Sequence, residues 1–191
     1  MSGISVESLR KAFGTQLVLN DVSFTAPAHQ ITCIMAPSGV GKTTLLRILL
    51  GLEQPDSGTV SLLPDCRWAA VFQEDRLLEH LDAMENLRFI LGNELDETEA
   101  DRLLQELGLS DFEGKPVRDF SGGMKRRLAL ARALLAPSDA LALDEPFAGL
   151  DEENRERAIA CIRNRTAGKP VLLVTHNEED VIGLNAGLIR L

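Results

Sequence analysis

A glycine-rich segment followed by a lysine and two threonines carries the residue types best suited to chemistry in this chain. The segment from Ala36 to Thr44 reads APSGVGKTT and lies between a short apolar run and a helical pattern. Glycines let backbone N–H groups approach phosphate oxygens, and the start of a helix adds a partial positive charge. The spacing is typical of a phosphate-binding loop. We predict that Lys42 reaches the β- and γ-phosphates of a nucleotide and that the Thr43 hydroxyl ligates Mg²⁺.

The loop departs from its motif at one position. Ala36 stands where the motif has glycine, which is compatible with the loop only if φ at Ala36 is negative. The residues assigned to phosphate binding are Ala36, Pro37, Ser38, Gly39, Val40, Gly41, Lys42, Thr43 and Thr44.

A second glycine pair opens a later helix. Ser121 is suited to cap the helix, Gly122 and Gly123 follow it, and Pro137 ends the pattern. The start of this helix predicts a second anion-binding site. We expect the basic cluster at 125–127 to lie on a solvated face of the same helix.

Polar residues follow two apolar runs that read as buried parallel strands. Asp144 and Glu145 close the run at 140–143, and His176 comes shortly after the run at 171–174. Ligands bind at the carboxyl ends of the strands in open α/β sheets. We predict that Asp144 holds Mg²⁺, directly or through water, and that Glu145 polarises the water that attacks the γ-phosphate.

With these motifs in this order, the chain resembles the nucleotide-binding subunits of ATP-binding cassette (ABC) transporters over nearly its whole length. The resemblance makes Ser121-Gly122-Gly123 the signature motif and Asp144-Glu145 the Walker B pair. It also assigns Asp151 to the loop that follows this pair, His176 to the switch histidine, Gln73 to the glutamine loop and Phe13 to the aromatic that stacks on adenine.

These assignments divide the site residues into three groups, for catalysis, Mg²⁺ binding and ATP binding. Catalysis would fall to Glu145, His176 and Gln73. The Mg²⁺ ligands would be Thr43, Gln73 and Asp144. ATP would be bound by Phe13, by the loop from 36 to 44 and, across a pair of chains, by Ser121, Gly122, Gly123 and Asp151.

The resemblance also predicts the partners. Two copies would pair head to tail on ATP and drive a separate membrane permease, with a solute-binding protein acting indirectly. The stretches FQEDRLL and SGGMKRRLALARALL look most like the importers of nitrate, sulfonates and taurine-like solutes. Two alternatives stay open: a P-loop small-molecule kinase, and a cassette-type ATPase of DNA maintenance.

The predicted fold is an α/β P-loop NTPase with a mainly parallel sheet, an antiparallel β-layer and a helical lobe. We expect one domain over 1–191, with a core lobe at about 1–74 and 136–191 and a helical lobe at about 75–135. The stretch from Arg76 to Phe89 contains Leu77, Leu78, Leu81, Met84 and Leu87. We expect it to form a groove for a cytoplasmic helix of the permease.

Composition limits the remaining possibilities. The chain has 191 residues and a formal net charge of −9, which argues against broad binding to nucleic acid. No stretch approaches the roughly 20 apolar residues of a membrane span, and its three cysteines have no ligand spacing. We therefore expect a cytoplasmic protein that is held at the inner face of the membrane by its permease.

Overall fold

The computed structural model describes residues 3–36, 39–62, 65–110 and 114–191. The chain divides into two compact units. The first comprises Met1–Ala70, Ser138–Glu145 and Ala167–Leu191, and the second comprises Val71–Pro137 and Pro146–Thr166. The second unit thus takes in 146–166 as well as the predicted helical stretch, and the lobe division predicted from the sequence stays a prediction.

An antiparallel sheet forms one layer of the first unit. Its strands are β1 (Ile4–Phe13), β2 (Gln16–Ala26) and β4 (Ser57–Ser61), in the order β2-β1-β4. Ile4 and Val6 of β1 and Leu19 of β2 are buried. Side chains alternate between the two faces of a strand, so Ile4 and Val6, two residues apart, lie on the same face. Register shifts interrupt the pairing of β1 with β2. The two strands meet at a tight turn in which Gly14 has a φ of 60°.

A second sheet has five strands, β3 (Ile31–Met35), β5 (Trp68–Val71), β6 (Ala140–Asp144), β7 (Val171–Val174) and β8 (Gly187–Arg190). Their order in the sheet is β5-β6-β7-β3-β8. The pairs β3-β7, β3-β8 and β6-β7 are parallel. Every residue of β6 and β7 is buried, as expected for the middle of a parallel sheet. The predicted α/β fold class is confirmed.

The core of the first unit joins both sheets to helix α1 (Lys42–Leu49). Leu45 and Leu49 of α1 are fully buried against Val6 of the antiparallel layer and Ile34 of β3 in one apolar cluster. A further helix, α6 (Glu178–Leu184), precedes β8. The phosphate loop therefore lies between two elements, β3 and α1, that the core holds in place.

The second unit is helical. Its helices are α2 (Ala83–Leu91), α3 (Glu97–Glu106), α4 (Gly122–Leu135) and α5 (Glu152–Arg165), with short 3-10 turns at Gly92–Glu94 and Val117–Asp119. Each helix begins with a side chain that accepts a backbone N–H: Asp82, Asp96, Ser121 and Asp151. Within the described ranges, no helix is long and apolar enough to cross a membrane.

Candidate functional site

The carboxyl ends of three neighbouring parallel strands bring together the predicted chemistry of the first unit. In the sheet, β7 lies between β6 and β3. The Glu145 N–H donates to the Val174 carbonyl at 3.0 Å, and the Thr175 N–H donates to the Ile34 carbonyl at 3.3 Å. Residues that follow these strands therefore share one edge, the edge where ligands bind in such sheets.

The turn after β3 has the backbone that a phosphate loop needs. Gly39 and Gly41 both have a φ of 86°, in the left-handed region that favours glycine. A Cβ on Gly41 would lie 2.6 Å from Cγ1 of Val18, whereas one on Gly39 would meet nothing within 4 Å. Gly41 is thus required by both conformation and space, and Gly39 by conformation alone.

The predicted lysine folds back over this loop. Lys42 Nζ donates to the Ala36 carbonyl at 2.7 Å, so the ammonium group lies beside the backbone that would surround a phosphate. Ala36 is not among the described residues whose φ is positive, so the alanine is compatible with its position. Val40 and Thr44 are half-buried at the turn and in the first turn of α1. Two further predicted residues, Pro37 and Ser38, lie outside the described part of the chain.

Two predicted metal ligands are in direct contact. The Thr43 hydroxyl, on the first turn of α1, donates to Oδ2 of Asp144 at 2.7 Å. Asp144 ends β6 and is only 3% exposed. No group of three or more His, Cys, Asp or Glu side chains in the described ranges is placed to hold a metal. One hydroxyl and one carboxylate suit Mg²⁺, which prefers oxygen ligands and draws most of its shell from water and phosphate.

The two residues predicted to handle water also meet. Nδ1 of His176 lies 3.0 Å from each carboxylate oxygen of Glu145. Glu145 has a φ of 48°, an uncommon conformation for a residue with a side chain, and it carries the carboxylate out from the strand end. The His176 side chain is 76% exposed and that of Glu145 is 20% exposed. The pair is therefore open to an incoming ligand or water.

The predicted adenine platform lies at the end of β1. Phe13 pairs with Gln16 across the turn that contains Gly14, and the residue is 50% exposed. A single aromatic residue near the start of the chain could instead belong to the core. Phe13 does not, because half of its surface is exposed. A ring at a hairpin tip is accessible for stacking.

In the second unit, the signature residues open α4. The Ser121 hydroxyl accepts from the Met124 N–H at 3.2 Å and caps the helix, as its sequence position predicts. A Cβ on Gly122 would meet nothing within 4 Å, and one on Gly123 would lie 3.1 Å from the Gly149 carbonyl oxygen. The fold therefore restricts Gly123 and places no such restriction on Gly122.

Gln73 and Asp151 are the other predicted site residues of the second unit. Gln73 is exposed, and its carbonyl accepts from Nη2 of Arg126 at 2.9 Å. Asp151 caps α5 by accepting from the Asn154 N–H at 2.9 Å, and this hydrogen bond holds the pKa of the Asp151 carboxyl below its usual range. Both residues are thus tied to helices of their own unit.

Comparison with known proteins identifies the family. A family model described as ABC transporter matches residues 19–148. The chain belongs to the ABC transporter family. A taurine import ATP-binding protein of Roseobacter denitrificans is 36% identical over 99% of this chain and 77% of that protein. An aliphatic sulfonates import ATP-binding protein of Rhodococcus jostii is 36% identical over 99% and 79%. A sulfate/thiosulfate import ATP-binding protein of Mycobacterium bovis is 36% identical over 94% of this chain and 56% of that protein.

This membership confirms that the chain is an ATP-binding and ATP-hydrolysing subunit of the ABC class. The prediction of an ABC ATPase from the order of its motifs is therefore correct. The small-molecule kinase, one of the two alternatives, is excluded because the family model spans both the phosphate loop and the Walker B pair.

The prediction of a solvated basic cluster on α4 is wrong. Arg126 and Arg127 are only 5% and 7% exposed, and Lys125 alone reaches the surface region, where it pairs with Glu79 at 2.8 Å. After Lys125, α4 contains only arginine, leucine and alanine. That composition leaves little polar face and was the available sign of a helix buried on most sides.

Two arginines of α4 in this ABC ATPase, the buried Arg126 and the half-buried Arg132, bind backbone carbonyls. Arg126 donates to the carbonyls of Phe72 and Gln73 at 2.6 and 2.9 Å, and Arg132 donates to those of Asp75 and Arg76 at 2.8 and 2.7 Å. Two side chains of one helix thus hold four carbonyls of the segment 72–76, which contains Gln73. No sequence motif indicated this contact, because main-chain acceptors carry no residue identity.

Arg127 connects three other segments. Its guanidinium donates to the carbonyls of Leu107, Gly108 and Gly123 at 2.9, 2.8 and 3.2 Å. It also donates to the Asn154 side chain at 2.6 Å. Burial lowers the pKa of Arg127, and the hydrogen bonds supply the compensation that a buried cation needs. The end of α3 and the starts of α4 and α5 are therefore fixed to one another.

The stretch from Arg76 to Phe89 contains the residues of the predicted permease groove, and that groove stays a prediction. Leu87 is fully buried and the other four predicted groove residues are half-buried. The exposed apolar side chains are Phe89, at 68%, and Ile90, at 54%. Glu85 completes the capping box of α2 and so stabilises the start of that helix.

Proposed function

We propose that this ABC ATPase binds and hydrolyses ATP at the interface of two copies and thereby powers an importer. The contact between Thr43 and Asp144 at 2.7 Å carries the proposal, since it joins the phosphate loop to the acidic strand end. The relatives reported above are each named as import ATP-binding proteins. These names favour import over export and over DNA maintenance.

The solute class follows from the same relatives. Their names specify taurine, aliphatic sulfonates and sulfate or thiosulfate, and each of these solutes contains an oxidised sulfur group with anionic oxygens. We propose that the transporter imports a solute with such a group through a separate permease, with a solute-binding protein delivering it. The ATPase itself supplies the energy and leaves solute selection to those partners.

Nucleotide binding is assigned to the first unit. The loop from 36 to 44 would surround the phosphates with backbone N–H groups, Lys42 would exchange its bond to Ala36 for the β- and γ-phosphates, and Phe13 would stack on adenine. Thr43 and Asp144, with Gln73, would hold Mg²⁺. When bound, this ion neutralises phosphate charge during transfer.

Hydrolysis is assigned to Glu145, His176 and Gln73. Glu145 would accept a proton from the attacking water, and His176, 3.0 Å from that carboxylate, would orient it and sense the γ-phosphate. Gln73 would contact the water or the metal. Each group is exposed or partly exposed at the end of its element, which suits residues that must meet a ligand.

The second copy completes the site in this proposal. Ser121, Gly122 and Gly123 of one copy would contact the ATP held by the other, and Asp151 would contribute across the same interface. The bare backbone at Gly122 supports this arrangement, because the fold itself places no atom within 4 Å of a Cβ there. A helix start with free N–H groups suits a phosphate.

The permease is the third partner. We propose that the stretch 76–89, with Phe89 and Ile90 exposed on α2, receives a cytoplasmic helix of the permease. This attachment would hold the protein at the inner face of the membrane. The net charge of −9 disfavours nucleic acid as an alternative partner.

Two substitutions at the phosphate and water positions test the proposal. Lys42→Ala should weaken ATP binding, because it removes a ground-state contact. Glu145→Gln should bind ATP normally, lose roughly 10²-fold or more in turnover and accumulate as an ATP-bound dimer, because it removes the general base. Equilibrium binding, steady-state hydrolysis and size-exclusion chromatography separate the two results. Equal loss of affinity in both variants would contradict the assignment of Glu145.

A further inference from the structure

Lys11 lies beside the proposed adenine platform and is almost entirely buried. The residue is 9% exposed on β1, two positions before Phe13. Its ammonium group lies 5.0 Å from the centroid of the Phe13 ring. It also donates to the Gln54 carbonyl at 2.7 Å and pairs with Glu53 at 2.8 Å. The lysine therefore connects the aromatic ring to the segment that follows α1.

Further bonds join the same two segments. Oδ2 of Asp56 accepts from the Ala12 N–H at 2.7 Å, and the Asp56 N–H donates to the Arg10 carbonyl at 2.9 Å. Oδ1 of Asp56 lies 3.6 Å from Nζ of Lys11. Residues 53–56 thus bind both backbone groups and the Lys11 side chain near the end of β1. They continue the chain from α1, whose first turn carries the phosphate-binding residues.

We propose that Lys11 is a positioning residue that fixes the Phe13 ring for stacking on the purine base of ATP. The inference rests on the proposed role of Phe13. An ammonium group near an aromatic ring is attracted to the negative face of its π-system, which restrains the rotation of the side chain. The ring nevertheless remains 50% exposed, so surface is left for a base.

The charge that this contact needs is secured by the surrounding carboxylates. The hydrogen bond that Lys11 donates to the Glu53 carboxylate is the main cause that raises the pKa of Lys11, and the same bond lowers the pKa of Glu53. Both groups therefore stay ionised at neutral pH. The competing explanation is that Lys11 only ties β1 to the segment after α1 and has no effect on the base.

Ligands with and without a base separate these explanations. We would measure dissociation constants of the full chain for ATP, GTP and inorganic tripolyphosphate, each with Mg²⁺. Lys11→Met should weaken ATP and GTP about three- to tenfold, as expected for a lost cation–π restraint. Tripolyphosphate binding should be unchanged, which also shows that the phosphate loop is folded. Lys11→Arg, which keeps the charge, should restore binding of both nucleotides.

Two matched variants complete the experiment. Arg10→Met removes a cation from an exposed position on the same strand and should leave the binding of all three ligands unchanged. Glu53→Gln keeps Lys11 but removes its carboxylate partner, so it should weaken ATP and GTP in the same pattern and to a smaller extent. This variant carries the test if Lys11→Met proves unstable.

The outcomes distinguish the inference from the proposal on which it rests. Unchanged nucleotide binding in Lys11→Met, or equal weakening of ATP and tripolyphosphate, would overturn the role of Lys11. Phe13→Ala is measured beside it and should weaken ATP and GTP alike. If Phe13→Ala leaves both unchanged, the stacking assignment itself is wrong and the role of Lys11 is lost with it.

Discussion

The strand-end site and the start of α4 are constructed in opposite ways. At the strand ends, the side chains of Glu145 and His176 are 20% and 76% exposed, and Glu145 has an uncommon backbone conformation with a φ of 48°. At the start of α4, the predicted ligand contacts are backbone groups of Gly122 and Gly123, and a buried guanidinium, Arg127, holds the segment. At the strand ends, the groups predicted to handle water are side chains, and the backbone conformation places them. At the start of α4, the predicted ligand groups belong to the backbone, and a side chain holds them in place.

This difference predicts which property each substitution changes. The side chains of Glu145 and His176 are partly or mostly exposed, so their removal should lower turnover and leave folding almost unchanged. A buried arginine of α4 satisfies several carbonyls, so its removal should lower the free energy of unfolding. Substitutions in the two regions should therefore separate activity from stability.

The largest effect on stability is expected for Arg127→Met. The substitution leaves carbonyls of Leu107, Gly108 and Gly123 without their buried donor. Unpaired buried acceptors make the expected loss about 3 kcal/mol in the free energy of unfolding, measured by urea denaturation. Arg102→Met is the matched control, since Arg102 is 64% exposed and pairs with Glu99 on the same helix. It should cost less than about 1 kcal/mol. Similar losses in both variants would contradict the comparison.

The same comparison shows what could be predicted from the sequence. The strand-end site could be predicted from the sequence, because the chemistry of APSGVGKTT and of the Asp144-Glu145 pair depends on residue types and their spacing. The alternation in β1 and the apolar runs of β6 and β7 likewise predicted both sheets. The hydrogen bonds from Arg126 and Arg132 to backbone carbonyls could not be predicted from the sequence, because the acceptors belong to the backbone and the donors are distant in sequence. The burial of Arg126 could not be predicted from its charge alone.

The second prediction concerns the two glycines of the phosphate loop. Gly39→Ala and Gly41→Ala introduce the same strain, because both residues have a φ of 86°. Only at Gly41 would the new Cβ also lie 2.6 Å from Val18. We expect a loss of about 1 kcal/mol for Gly39→Ala and about 2 kcal/mol or more for Gly41→Ala, measured by thermal and urea unfolding. Equal losses would show that the contact with Val18 relaxes freely.

The third prediction uses a glycine that the fold does not require. Gly122→Ala adds a methyl group that meets no atom within 4 Å, in the first turn of a helix. Alanine favours a helix over glycine by up to about 1 kcal/mol, so the free energy of unfolding should be unchanged or higher. Hydrolysis should nevertheless fall roughly tenfold or more, because close approach of backbone to phosphate is lost. ATP binding by the single chain is the control and should not change. Full hydrolysis in this variant would contradict the paired site.

The fourth and smallest effect is a pH dependence of stability at Asp75, which lies 3.0 Å from Arg126. Burial raises the pKa of the Asp75 carboxyl, and attraction to Arg126 and Arg132 offsets the burial only in part. The stability contributed by such a group is present below its unfolded pKa, about 4, and is lost as the pH rises through the folded pKa. Asp75→Asn should therefore gain stability relative to the unsubstituted protein as the pH rises above about 4.

Asp151→Asn should show the opposite dependence and serves as the matched variant. The Asn154 N–H lowers the pKa of Asp151, so its contribution is present above the unfolded pKa and is lost as the pH falls through the folded pKa. Its destabilisation relative to the unsubstituted protein should be greatest near neutral pH and should shrink toward about pH 3. Urea titrations across this range give both differences. Parallel pH profiles for the two variants would show that the bond to Arg126 outweighs the burial of Asp75.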